Sequence, residues 1–114
     1  DLVAVKYSAM ICGTTSVACM LLDVLSGFDE LKICVAYELA DGSRSERFIP
    51  DARQLSTVKP IFETLEGWPE EIDHITTPEN LPANAKAYLD FISSYLDLPI
   101  SIVSVGPKRS QTVI

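Results

Sequence analysis

A chain of 114 residues, 47% hydrophobic and 22% charged, is one ordinary soluble domain's worth of foldable material, which excludes a disordered or low-complexity segment. A formal charge of -7 and a pI near 4.5 exclude a non-specific grip on nucleic acid or an anionic membrane, so an anionic ligand needs a local positive site. The longer apolar stretches, such as Val17 to Leu22 and Ile100 to Val103, fall far short of the roughly 18 residues of a membrane helix, and the start carries no leader pattern.

In chain order, Asp1 is placed to cap a helix over Leu2 to Cys12 that ends at Gly13, a residue suited to the left-handed C′ position. That helix is apolar on most sides, as expected inside a larger protein. After a turn at Thr14 to Ser16, Val17 to Leu22 reads as a fully buried strand, too uniformly apolar for an edge, with Asp23 the first charge after it. Ser26-Gly27-Phe28-Asp29 turns the chain into a second strand, Leu31 to Leu39. Asp41-Gly42, between Tyr37-Glu38-Leu39 and Arg47-Phe48-Ile49, predicts a hairpin. Pro50 to Leu55 fits a short helix, Val58 to Leu65 an extended segment, and Trp68 to Asn80 a mobile acidic loop. From Pro82 to Leu96 the spacing predicts an amphipathic helix with Ala85, Leu89, Ile92 and Leu96 on its buried face, packed on a last strand, Ile100 to Val105.

Helices alternating with buried strands predict an α/β fold. A buried first strand without neighbours would leave open edges, so the expectation is a fragment of a larger, mainly parallel sheet fold, with a hairpin and an amphipathic helix before the last strands. The three cysteines, Cys12, Cys19 and Cys34, lie in apolar contexts and read as buried, reduced thiols of a cytosolic protein. The sole histidine, His74, reads as a surface residue, and no spacing suggests a metal site made by this chain alone. Without a second imidazole or a Ser/His/Asp arrangement, nucleophilic catalysis has no evident base. The charges from Glu38 to Arg47 alternate in sign around the hairpin and read as a solvated face, and Trp68 reads as a packing anchor.

Two places suggest binding chemistry. A carboxylate after a buried strand, as at Asp23, can accept hydrogen bonds from guanine N1–H and the 2-amino group, which adenine does not offer in that geometry. The simpler role by residues alone is a turn cap. Ser104-Val105-Gly106-Pro107 ends the last strand in a turn whose N–H groups can donate to guanine O6, with Gly106 allowing close approach and Pro107 stiffening the exit. By residues alone the simpler reading is an ordinary strand-ending turn.

Read together, LLDVLSGFDELKICVAYEL (Leu21 to Leu39), PIFETLEGW (Pro60 to Trp68) and LPISIVSVGPKRSQTVI (Leu98 to Ile114) resemble the C-terminal part of adenylosuccinate synthetase, across nearly the whole chain. The resemblance implies a cytoplasmic, homodimeric, GTP-dependent ligase that joins IMP and L-aspartate to form adenylosuccinate in purine biosynthesis. Within it, residues 1–114 would be the guanine-binding part, with Leu21, Leu22, Asp23, Ser104, Val105, Gly106 and Pro107 around the GTP base. The phosphate-binding loop, the catalytic residues and the Mg²⁺ ligands would lie upstream, since no GxxxxGK[ST] motif is present here. No catalytic residue is therefore assigned, and the isolated segment is expected to be inactive. Met20 and Leu21 depart from the family's Thr and Lys in the Thr-Lys-Leu-Asp stretch whose Asp falls on Asp23. Lys108 and Gln111 stand where the family usually has acids. Selectivity is expected to survive through Asp23 with weaker affinity. The alternative is a non-catalytic, diverged guanine-nucleotide-binding or scaffold module.

Overall fold

The computed structural model describes residues 1–113 as a mixed α/β chain. Two compact units divide it, one from Asp1–Thr14 with Lys32–Thr64, the other from Thr15–Leu31 with the residues from Leu65 onward.

The first unit begins with α1, Leu2–Cys12, which forms as its caps dictate. The Asp1 carboxylate accepts from Ala4 N, and Gly13 takes the left-handed conformation at φ 61° so that the cap N–H groups reach the carbonyls of Ala9 and Met10. Asp1 also accepts from the Tyr37 hydroxyl at 2.7 Å. Strands β2 (Glu30–Glu38), β3 (Arg44–Ser45) and β4 (Lys59–Glu66) form a three-stranded sheet in the order β3-β2-β4. Five consecutive residues of β2, Ile33 to Tyr37, are buried, as expected of a middle strand covered on both faces. β2 and β3 pair antiparallel, Tyr37 opposite Ser45, around the expected Asp41-Gly42 turn. The second hairpin strand is shorter than the sequence suggests, because by Phe48 the chain has left the sheet. There the Phe48 ring packs against Tyr7 of α1 with centroids 5.0 Å apart. Val3, Cys34 and Tyr37 form the local core, flanked by Leu39, Phe48, Leu55 and Val58. Asp51 caps the one-turn helix α2, Ala52–Leu55, by accepting from the N–H groups of Arg53 and Gln54.

In the second unit, β1 (Val17–Cys19) and β5 (Ile100–Val103) pair in parallel, and helix α3 (Ala83–Leu96) lies on the connection between them. Pro82 stands at the N-cap of α3 and Asp97 closes it in the left-handed region. The buried face of α3 is Ala85, Leu89, Ile92 and Leu96, as its spacing predicts. Ala85 and Leu89 join a core cluster with Leu22, Leu31, Trp68, Ile72, Leu81, Val103, Val105 and Val113.

Three expectations are corrected here. The strand expected over Val17 to Leu22 stops at Cys19 because Leu21 turns left-handed at φ 57°, and Leu22 to Leu25 wind into a 3₁₀ turn. β1 is also only half-covered, with Ala18 open to solvent. The segment 68–80 is no mobile loop: Trp68 and Ile72 are fully buried in the core, and Gln111 Nε2 donates to Asp73 O at 2.9 Å. Finally, Cys12 is exposed in the last turn of α1, whereas Cys34 is buried, and all three cysteines are free.

Candidate functional site

The end of β1 and the end of β5 meet through Ser104. Its N–H donates to Cys19 O at 3.0 Å, and its carbonyl accepts from Leu22 N at 2.8 Å. Its Oγ accepts from Leu21 N at 2.7 Å. With Ser104 1% exposed, these bonds satisfy a buried residue and hold Leu21 in a backbone conformation that costs a leucine about 1–2 kcal/mol. Leu22, also 1% exposed, plugs into the core and sets the direction of the next residue, Asp23. The two segments singled out in sequence, in which Leu21 and Ser104 lie 83 residues apart, are thus joined by direct hydrogen bonds.

Asp23 is no turn cap. Its carbonyl accepts from Ser26 N at 3.0 Å, but its carboxylate has no hydrogen-bond partner among the described residues, and Oδ1 is shut away from solvent. A buried, unmatched polar atom costs about 1–3 kcal/mol, more when charged. Native chains keep few of them unless a ligand completes the bond. Asp23 lines a cleft of about 410 Å³ with Ser26, Gly27, Pro69, Glu71, Ile72 and Asp73. Ser104 to Pro107 are not among the residues around that cleft, and connect to Asp23 through the backbone of Leu21 and Leu22.

The wall beside Asp23 is rigid. Gly27 N donates to Trp68 O at 2.9 Å, Gly67 N to Asp29 O at 2.8 Å, and the Trp68 indole to Ser26 Oγ at 3.1 Å. Position 67 must be glycine, because a Cβ there would overlap the Phe28 carbonyl. Trp68 therefore anchors the cleft as well as the core, with Tyr88 edge-on to it at 6.0 Å. Burial pushes the Tyr88 hydroxyl and the Cys19 thiol above their ordinary values.

In the turn after β5, the N–H groups of Ser104 and Val105 are consumed by the fold, on Cys19 O and Gln111 O, so neither is available to a base. This corrects the expectation of several free donors. Pro107 has none, and Lys108 N donates to Gln111 Oε1 at 3.0 Å. Gly106 N–H finds no partner among the described residues, and neither do the N–H groups of Arg109 and Ser110 at the start of the following 3₁₀ turn. Gly106 is required for a different close approach from the one expected, since a Cβ there would overlap the Gln111 side-chain amide.

Gly67 is the site residue that sequence reasoning passed over, whereas Gln111 was noted only as a departure from the family's acid and not for its contacts. The Gln111 side chain reaches back three residues to the Lys108 N–H, the return half of a capping box, but a lysine at the N-cap has no side-chain acceptor, so the sequence carried no capping-box signature. His74 is exposed beside Asp73 at 3.6 Å, and Arg44 pairs with Glu46 at 3.3 Å on the solvated hairpin face. No helix of the described residues is long and apolar enough to cross a membrane.

The adenylosuccinate synthetase family model matches residues 1–113. An adenylosuccinate synthetase of Alkaliphilus metalliredigens is 51% identical over the whole chain, which covers 26% of that relative, and one of Salinibacter ruber is 44% identical over 99% of the chain and 26% of its own length. The solved structure of fully ligated adenylosuccinate synthetase from Plasmodium falciparum superposes with a TM-score of 0.95 at 29% identity, over all of this chain and 28% of that one. The chain thus spans about a quarter of the length of these relatives. With its fold and its sequence both matching, the chain belongs to the adenylosuccinate synthetase family.

Proposed function

We propose that this chain is the C-terminal, guanine-binding part of a GTP-dependent ligase that joins IMP and L-aspartate to form adenylosuccinate, working as a cytoplasmic homodimer. The observation that carries the reading is the Asp23 carboxylate, half-buried, with Oδ1 unmatched. Guanine presents two donors on one edge, N1–H and the 2-amino group, which two carboxylate oxygens accept together. Adenine presents a bare N1 there, so a carboxylate facing it would gain nothing and lose its hydration. Guanine O6 lies next to N1–H on that same edge, and the Gly106 N–H is a donor left free for it. Leu21, exposed and held by Ser104, offers apolar contact to a base face, and Pro107 a second one.

This chain's part in the reaction is to bind and orient the nucleotide. Family membership implies Mg²⁺ on the phosphates. The described residues hold no group of three or more His, Cys, Asp or Glu placed for a metal ion, so no step through Mg²⁺ is assigned to them.

An amide NMR titration with GDP, and in parallel with ADP, tests the reading. Shifts on GDP alone, centred on Leu21 to Asp23 and on Ser104 to Gly106, are the expected result. Equal indifference to both nucleotides would instead favour a diverged scaffold module that has kept the fold.

A further inference from the structure

We infer that Gln111 is a positioning residue for nucleotide recognition: it holds the turn after β5 so that the N–H of Gly106 is left unmatched and aimed to read the base. This rests on the guanine-binding reading above. Gln111 makes four hydrogen bonds at this turn. Its carbonyl takes Val105 N–H at 2.8 Å, its own N–H goes to Lys108 O at 2.9 Å, and its side-chain Oε1 takes Lys108 N–H at 3.0 Å. Its Nε2 donates across to Asp73 O at 2.9 Å, on the segment that walls the Asp23 cleft. One side-chain amide therefore uses both its acceptor and its donor, and ties the two sides of the site together.

The consequence for Gly106 is geometric. Its backbone lies so close to the Gln111 amide that a Cβ would overlap all three terminal atoms of that side chain. The amide is fixed at both ends, so it cannot swing away without breaking a bond. It therefore sets how far Gly106 can rotate, and with it the aim of the free N–H. A carboxylate at position 111 would keep the Oε1 acceptor but lose the donor and face the Asp73 carbonyl with a negative charge. A glutamine, and no acid, satisfies both neighbours.

The test compares GDP with 6-thioguanosine diphosphate in the intact protein by calorimetry. The thio analogue keeps N1–H and the 2-amino group for Asp23 but presents sulfur, a poor acceptor, to the Gly106 N–H. Wild type is expected to prefer GDP by about tenfold, the scale of one well-placed hydrogen bond. Gln111→Ala is expected to weaken GDP about tenfold and bring the two ligands within about twofold of each other. Gln111→Glu, which keeps the Lys108 contact and guards against a general loss of fold, is expected to lie between. A merely structural role would weaken both ligands equally and leave the preference intact, and an unchanged preference in either folded variant overturns the inference. Failure of the parent reading is separately visible: wild type would then bind GDP no better than ADP.

Discussion

Ser104 links the two halves of the candidate site through three hydrogen bonds, one of them through its side chain. Ser104→Ala removes the acceptor of Leu21 N–H and leaves a left-handed leucine unsupported, so a loss of about 1–2 kcal/mol is expected, read as a lower urea midpoint at unchanged slope. At Asp41 the hydroxyl and the N–H of Ser43 both donate to the carboxylate and hold it below the usual carboxylate range. A lowered folded-state value means that its contribution is present above the ordinary carboxylate range and lost as pH falls through the folded value. Ser43→Ala is expected to return Asp41 toward the ordinary value in a carboxyl NMR titration. Thiol labelling separates the cysteines: Cys12, exposed, reacts first, while burial raises the Cys19 thiol and keeps it protonated and slow.

At the scale of elements, what was legible in the sequence is what local physics decides. The buried face of α3 follows from spacing alone, and Leu89→Ala, which empties a site in the main core, is expected to cost about 2–3 kcal/mol by denaturant unfolding. The caps of α1 and the Asp41-Gly42 hairpin were equally readable, because one residue type fits each position. The end of β1 was not: VACMLL is apolar throughout, and hydrophobicity carries no sign of the left-handed turn at Leu21, which depends on a serine far along the chain. The segment 68–80 misled for a related reason. Its composition is that of a loop, but Trp68 and Ile72 nail it to a core whose other members lie elsewhere in sequence. Asp23 and the Ser104 turn were visible as candidates, whereas the consumption of the Ser104 and Val105 N–H groups was not, since their acceptors are backbone carbonyls that no residue type announces.

At the scale of the whole molecule, several large apolar side chains are open to water, among them Met10 and Ile11 of α1 and Val24 and Phe28 in the segment after β1. A parallel pair of strands is also marginal by itself. A polypeptide of these residues alone is expected to bind an apolar fluorescent dye, whereas full-length relatives, about four times as long, are expected to leave it dark. Guanine selection by Asp23 is the central claim, and exchanging base and side chain together tests it most directly. Xanthine replaces the 2-amino donor of guanine with a carbonyl acceptor. In Asp23→Asn, the new amide N–H can meet that carbonyl but opposes the guanine donors. Calorimetry with GDP and xanthosine diphosphate on the intact protein should show wild type favouring GDP. Asp23→Asn should lose about tenfold or more for GDP and gain for xanthosine diphosphate. Equal affinity of the two proteins for both nucleotides would contradict the account.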